Sequence, residues 1–141
     1  MKIFYNKLIP FKGFNAINLF GIVFARKEEG ELTPVQVNHE AIHTRQQIDC
    51  LVLSFLPLFL IGTLCSWWWF AFWPFSFYLI YFVEWGISYC YRRIKRLCRK
   101  EANNEAYSAS AMEMEAYEHE TDFNYLNRRY PLSWFKYYGH I

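Results

Sequence analysis

Five residues, His39-Glu40-Ala41-Ile42-His43, carry the pattern H-E-x-x-H. On a helix, residues four apart lie on one face, so His39 and His43 can present two imidazole nitrogens to a single ion. Glu40 is one step round from His39. From there its carboxylate can reach a water beside that ion without ligating it, the position of a general base in a zinc hydrolase.

Two histidines leave zinc short of protein ligands, because a catalytic site normally holds three plus water. The only other histidines are His119 and His140. A richer source of donors is the acidic stretch Met112-Glu113-Met114-Glu115-Ala116-Tyr117-Glu118-His119-Glu120. On a helix Glu113, Tyr117 and Glu120 share one face, and Glu115 and Glu118 form another with His119 close by. The residues alone leave Glu113, Glu115 and His119 as alternative third ligands.

These groups need elements to hold them. Thr33-Pro34-Val35-Gln36 reads as a helix start, with Thr33 as cap, Pro34 at the first helical position and Gln36 where a capping box places Glu or Gln. That helix should run through His39 and His43 into an apolar span. Residues 50–83 contain no Asp, Glu, Lys, Arg or His. One pass through a bilayer takes roughly 20 apolar residues, so this run predicts a hairpin of two short membrane helices. Its turn is expected within residues 62–74, where tryptophans concentrate, and Pro57 should kink the first span or mark a re-entrant bend. The second span should pass Glu84 toward Tyr91, with Glu84 as a snorkelling end residue or, second, a functional group.

Six cations and no acid follow at residues 92–100, and residues 101–122 reverse the sign with seven carboxylates and no Lys or Arg. The positive-inside rule puts the cationic end in the cytoplasm. Two passes return the chain to its starting side, so the H-E-x-x-H helix and the acidic segment can meet there. Lacking Gly and Pro, the cationic run and residues 101–125 are both expected to be helical, ending near residues 127–130 before Pro131. The aromatic tail, residues 131–138, should dock on the fold or the interface. Residues 11–26 read as a short β-hairpin or paired edge strand, and the strand at residues 18–25 is a candidate to receive an extended substrate by edge pairing.

The 141 residues suit one domain: a β-rich segment at 1–32, the H-E-x-x-H helix and membrane hairpin at 33–91, and a C-terminal helical segment with the third ligand at 92–141. The fold class is mainly α, a helical membrane protein with a small N-terminal β-hairpin. Net charge is +2 with no basic face, which argues against a nucleic-acid partner. Cys50, Cys65, Cys90 and Cys98 show no C-x-x-C spacing and read as buried small hydrophobes. The first ten residues lack the apolar core of a removable signal peptide.

The order H-E-x-x-H, two apolar spans, then E-x-x-A-Y at Glu113 to Tyr117 resembles the membrane-embedded gluzincins, the class of the CaaX prenyl proteases and the bacterial heat-shock membrane proteases. In that family the Glu of E-x-x-A-D is the third zinc ligand. The resemblance implies Glu113 as ligand beside His39 and His43, Glu40 as base, and a place in a bacterial inner membrane. Tyr117 stands where the family carries Asp.

The expected activity is therefore a zinc-dependent, membrane-bound endopeptidase that cleaves a peptide or membrane-protein substrate at the cytoplasmic face. Tyr117 and His119 are candidate donors to the developing oxyanion. Two other readings compete: a non-catalytic, zinc-stabilised membrane adaptor and a metal-free helical membrane protein. A di-iron carboxylate site needs two E-x-x-H units, and Glu40 to His43 is the only one.

Overall fold

In the computed structural model, residues 1–10, 15–94 and 98–140 are described. The chain is mainly helical with a three-stranded N-terminal sheet. Strands β1 (Lys2–Asn6), β2 (Ala16–Leu19) and β3 (Ile22–Arg26) lie in the order β1-β3-β2. The expected hairpin is β2–β3, antiparallel with Leu19 opposite Ile22, while its first expected residues, 11–14, lie outside the described residues. Phe20 and Gly21 turn the chain with φ of 53° and 77°, the doubly positive backbone of a tight two-residue hairpin. Phe20 tolerates that strain because its ring packs edge-on against Phe75 and Tyr78 and its N–H donates to the Tyr78 hydroxyl. β1 pairs parallel to β3 and is an addition to the expected hairpin.

Helix α1 (Pro34–Leu64) starts where the capping box predicts: the Gln36 N–H donates to Thr33 Oγ1, and Gln36 Oε1 accepts from the Thr33 N–H at 2.9 Å. It continues without interruption through Pro57. After the break at Cys65 and Ser66, a nine-residue 3₁₀ helix (Trp67–Phe75) folds back on it. Phe55 and Phe59 pack against Trp67, Phe70 and Trp73, and the Trp73 indole donates to the Leu51 carbonyl at 2.8 Å. Much of the expected turn is thus a packed return limb. Helix α2 (Ser76–Ile94) follows directly. Two stretches, Pro34–Leu64 and Trp67–Ile94, are long and apolar enough to cross a membrane.

Residues 101–125 are not one helix. They divide into α3 (Arg99–Ser108), α4 (Ala111–His119) and the single turn α5 (Tyr125–Arg128); residues 95–97 of the cationic run lie outside the described residues. The break before α4 comes from a distant partner: Glu84 Oε2 accepts from the Ser110 hydroxyl at 2.8 Å and the Ala111 N–H at 3.2 Å. Those groups would otherwise be orphan donors at a helix start. Glu84 therefore anchors α4 instead of snorkelling, and it also accepts from the Tyr138 hydroxyl. At the other end, the Asn38 side chain of α1 donates to the carbonyls of His119, Glu120 and Asp122. Both ends of α4 are set by side chains of other helices.

The aromatic tail docks as expected. Trp134 and Tyr137, in a 3₁₀ segment (Ser133–His140), are buried with Cys50, Phe77, Ala111 and Met112 in the main apolar cluster. The cysteine expectation holds only for Cys50. Cys65, Cys90 and Cys98 are exposed free thiols, because the α1 terminus, the outer side of α2 and the start of α3 turn them away from this core.

Beneath the tail Arg129 bridges two carboxylates, Nη2 to Asp49 at 2.8 Å and Nε to Glu115 at 2.7 Å, with all three side chains at most 9% exposed. Burial pulls the guanidinium pKa down, but the two carboxylates outweigh it and hold it above its usual value. Removing one partner of such a cluster leaves buried charge uncompensated, a cost of about 3–5 kcal/mol. Arg129→Met should lower the unfolding free energy by that order in a denaturant titration of detergent-purified protein. Arg128→Met, which loses a surface pair with Asp122, should change it by less than about 1 kcal/mol.

Candidate metal centre

Helix α4 lies antiparallel to α1, with Met112 near Gln46 and Glu120 near His39. This arrangement aims Glu113 at the two histidines. His39 Nε2 and His43 Nε2 are 3.0 Å apart, and each is 3.5 Å from a Glu113 carboxylate oxygen. A tetrahedral ion with ligand distances of about 2.0–2.1 Å separates its donor atoms by about 3.3 Å. His39, His43 and Glu113 form a group that could hold a metal ion.

Hydrogen bonding on the far side of each ring decides what the near side offers. His39 Nδ1 lies 2.9 Å from Glu120 Oε2, a carboxylate that only accepts, so the proton sits on Nδ1. His43 Nδ1 lies 2.7 Å from Gln46 Oε1. The Gln46 amide cannot be reversed, because its NH₂ donates to the Met112 carbonyl and to Glu115 Oε2, both at 2.9 Å. Both Nδ1 atoms are therefore donors, which leaves Nε2 of each ring as the atom that can give a lone pair to an ion. Glu113 is 3% exposed, and its Oε2 is a buried atom without a hydrogen-bond partner. The three side chains converge where a metal ion, or a proton shared among them, offsets the crowding of donor atoms. Burial alone would raise the Glu113 carboxyl, but the neighbouring His43 and His39 rings outweigh it and hold it below the usual carboxylate range.

The other candidate residues divide clearly. Glu115 is fully buried, but its oxygens accept from Gln46, Tyr125 and Arg129, so it braces the site from behind. His119 is turned away: its ring stacks on Tyr125 at 3.7 Å and its Nε2 lies 3.4 Å from the Tyr137 hydroxyl. Tyr117 is half exposed and sets its ring edge-on to His39, centroids 4.9 Å apart. The side chain of His140 lies outside those described.

Glu40 faces a cavity of about 360 Å³ that it lines with His43, Glu113, Tyr81 and Tyr107, the remaining wall being largely apolar and including Phe77 and Trp85. Neither Tyr117 nor His119 lines it. β2 borders the cavity through Ala16, Ile17 and Asn18. β3 is the central strand and cannot take an edge partner. On β2 the Asn18 carbonyl already accepts from Tyr78 and Gln47, which leaves the backbone of Ala16 as the open part of that edge among the described residues.

Sequence reasoning missed Gln46, Tyr81 and Tyr107. Tyr81 had a signal: Phe77, Tyr81, Glu84 and Ser88 recur at helical spacing and mark one face of α2. Gln46 lies three residues after His43, within reach on the same face. Tyr107 had none.

Partners behind metal-binding histidines typically tune affinity by 10–100-fold. Detergent-purified protein should carry one metal ion per chain by elemental analysis. Glu113→Ala should lose it, Glu115→Ala should keep the three ligands but lose stability, and Gln46→Leu should weaken binding about 10–100-fold in a chelator competition. No known protein family, curated protein or solved structure matches the chain, so the reading of this centre rests on its own geometry.

Proposed function

We propose that the protein is a zinc-dependent endopeptidase bound to a membrane, cleaving extended apolar peptide segments at the cytoplasmic face. The observation that carries this reading is the convergence of three donors, His43 and Glu113 buried and His39 partly so, beside a cavity into which a fourth group, Glu40, also faces. A purely structural zinc site closes its fourth position with another protein ligand. Here the space next to the ligands is a cavity, which favours the enzyme over the non-catalytic adaptor.

Zinc held by His39, His43 and Glu113 would supply Lewis acidity toward a peptide carbonyl and its attacking water. Glu40 accepts a proton as the water oxygen bonds to the carbonyl carbon. The same carboxyl then delivers it to the amine nitrogen as the C–N bond breaks. Glu120 and Gln46 keep both imidazoles in the tautomer that frees Nε2. The apolar cavity walls favour bulky apolar side chains next to the scissile bond, and Ala16 offers an extended backbone a short edge to pair with.

The membrane assignment rests on the exposed apolar surface of the hairpin. Leu64, Trp67 and Trp68 at its tip are 60–84% exposed. The Ser54 and Thr63 hydroxyls donate back to helix carbonyls, as side chains do when no water is present. The cations that follow α2 support a cytoplasmic position for the site end.

Zinc-loaded protein in detergent should cleave peptides with aromatic residues flanking the scissile bond. Glu40→Gln should retain zinc and lose about 10²–10⁴-fold in rate. Full zinc with equal activity in wild type and Glu40→Gln, or none in either, would favour the adaptor. Separately, extraction of cell membranes at alkaline pH should leave the protein in the pellet; release into the soluble fraction would remove the membrane assignment.

A further inference from the structure

We infer that Tyr107 and Tyr81, not Tyr117 or His119, are the hydroxyl donors that hold the oxyanion of the tetrahedral intermediate. The inference rests on the peptidase reading and deepens it by assigning the residues that separate transition-state from ground-state binding.

The placement of the two rings carries the argument. Tyr81 comes from α2 and Tyr107 from α3, and they meet edge-on with centroids 6.2 Å apart. Both line the cavity that holds Glu40, His43 and Glu113. The Tyr81 hydroxyl donates to Glu113 Oε1 at 3.4 Å, a long bond by the usual standard of 2.7–2.8 Å for O–H···O. It is close enough to aim the hydroxyl at the ligand atoms and loose enough to be surrendered to a better acceptor. An oxyanion bound near the metal is such an acceptor, since charge-assisted bonds are shorter and roughly twice as strong as neutral ones.

The sequence candidates lack this position. Tyr117 has its ring against His39 outside the cavity, and the His119 ring is held by Tyr125 and Tyr137. The two tyrosines come from α2 and α3, which carry none of the three metal ligands, so their hydroxyls can be removed while every ligand stays in place.

A binding experiment separates this role from a structural one. The probes are a phosphinic peptide, whose tetrahedral phosphinate replaces the scissile amide between two phenylalanines, and the matching reduced-amide peptide, which has no oxygen there. Both are titrated calorimetrically into zinc-loaded wild type, Tyr107→Phe, Tyr81→Phe and Tyr117→Phe, with zinc content measured in each. Removing one donor of an oxyanion site costs about 10²–10³-fold. The expected result is a loss approaching 10²-fold in phosphinate affinity for Tyr107→Phe and Tyr81→Phe, unchanged reduced-amide affinity, unchanged zinc, and no effect of Tyr117→Phe. Equal losses for both probes would make the tyrosines general cavity walls and overturn the inference, as would no loss or a loss confined to Tyr117→Phe. Failure of wild type to bind the phosphinate would overturn the peptidase reading along with it.

Discussion

The position of two protons governs this site. Because Glu120 and Gln46 occupy the Nδ1 sides of His39 and His43, both Nε2 atoms point inward, only 3.0 Å apart, with the Glu113 carboxylate across from them. Without a metal ion or a proton among them, three electron-rich atoms would crowd a mostly buried pocket. With a metal ion, each becomes a ligand at ordinary distance. The capacity to hold a metal ion follows from the hydrogen bonds behind the rings as much as from the three donor side chains themselves.

That arrangement depends on the Gln46 amide, which in turn is held by α4 and by Glu115. A continuous polar chain runs from His43 through Gln46, Glu115 and Arg129 to Asp49. Asp49 closes it by accepting from the Leu132 N–H, which ties the aromatic C-terminal segment to the same helix that carries the histidines. Each buried polar group in the chain has a partner, as low-dielectric surroundings require. Orientation of one imidazole is thus connected to the docking of the last folded segment, and Trp134 and Tyr137 seal the connection with apolar contacts around Cys50.

The N-terminal sheet serves the opposite wall. The Asn18 amide donates to the Glu40 carbonyl and to Thr44, and Gln47 returns bonds to Asn18, so the hairpin sits on the same turn of α1 that presents the candidate base. Tyr78 fastens the tip of that hairpin to α2. The cavity is therefore enclosed by elements from three separate parts of the chain, with polar groups at its floor and aromatic rings on its sides.

Local physics in the sequence determined the start of α1, its length through an uncharged run, the β2–β3 hairpin and the pairing of His39 with His43. A capping box, a charge-free stretch and an i, i+4 spacing are all satisfied by neighbours in the chain. The same local rules predicted one helix across residues 101–125, because no Gly or Pro interrupts it. Tertiary structure divided it: Glu84 and Asn38, remote in sequence, supply the partners that begin and end α4. Helical spacing left Glu113, Glu115 and His119 open and the family resemblance pointed to Glu113; this placement sets Glu113 against the two histidines and brings Tyr81 and Tyr107 to the cavity. Helical spacing says which side chains share a face, but which face turns inward is decided by the groups that the rest of the fold sets against it.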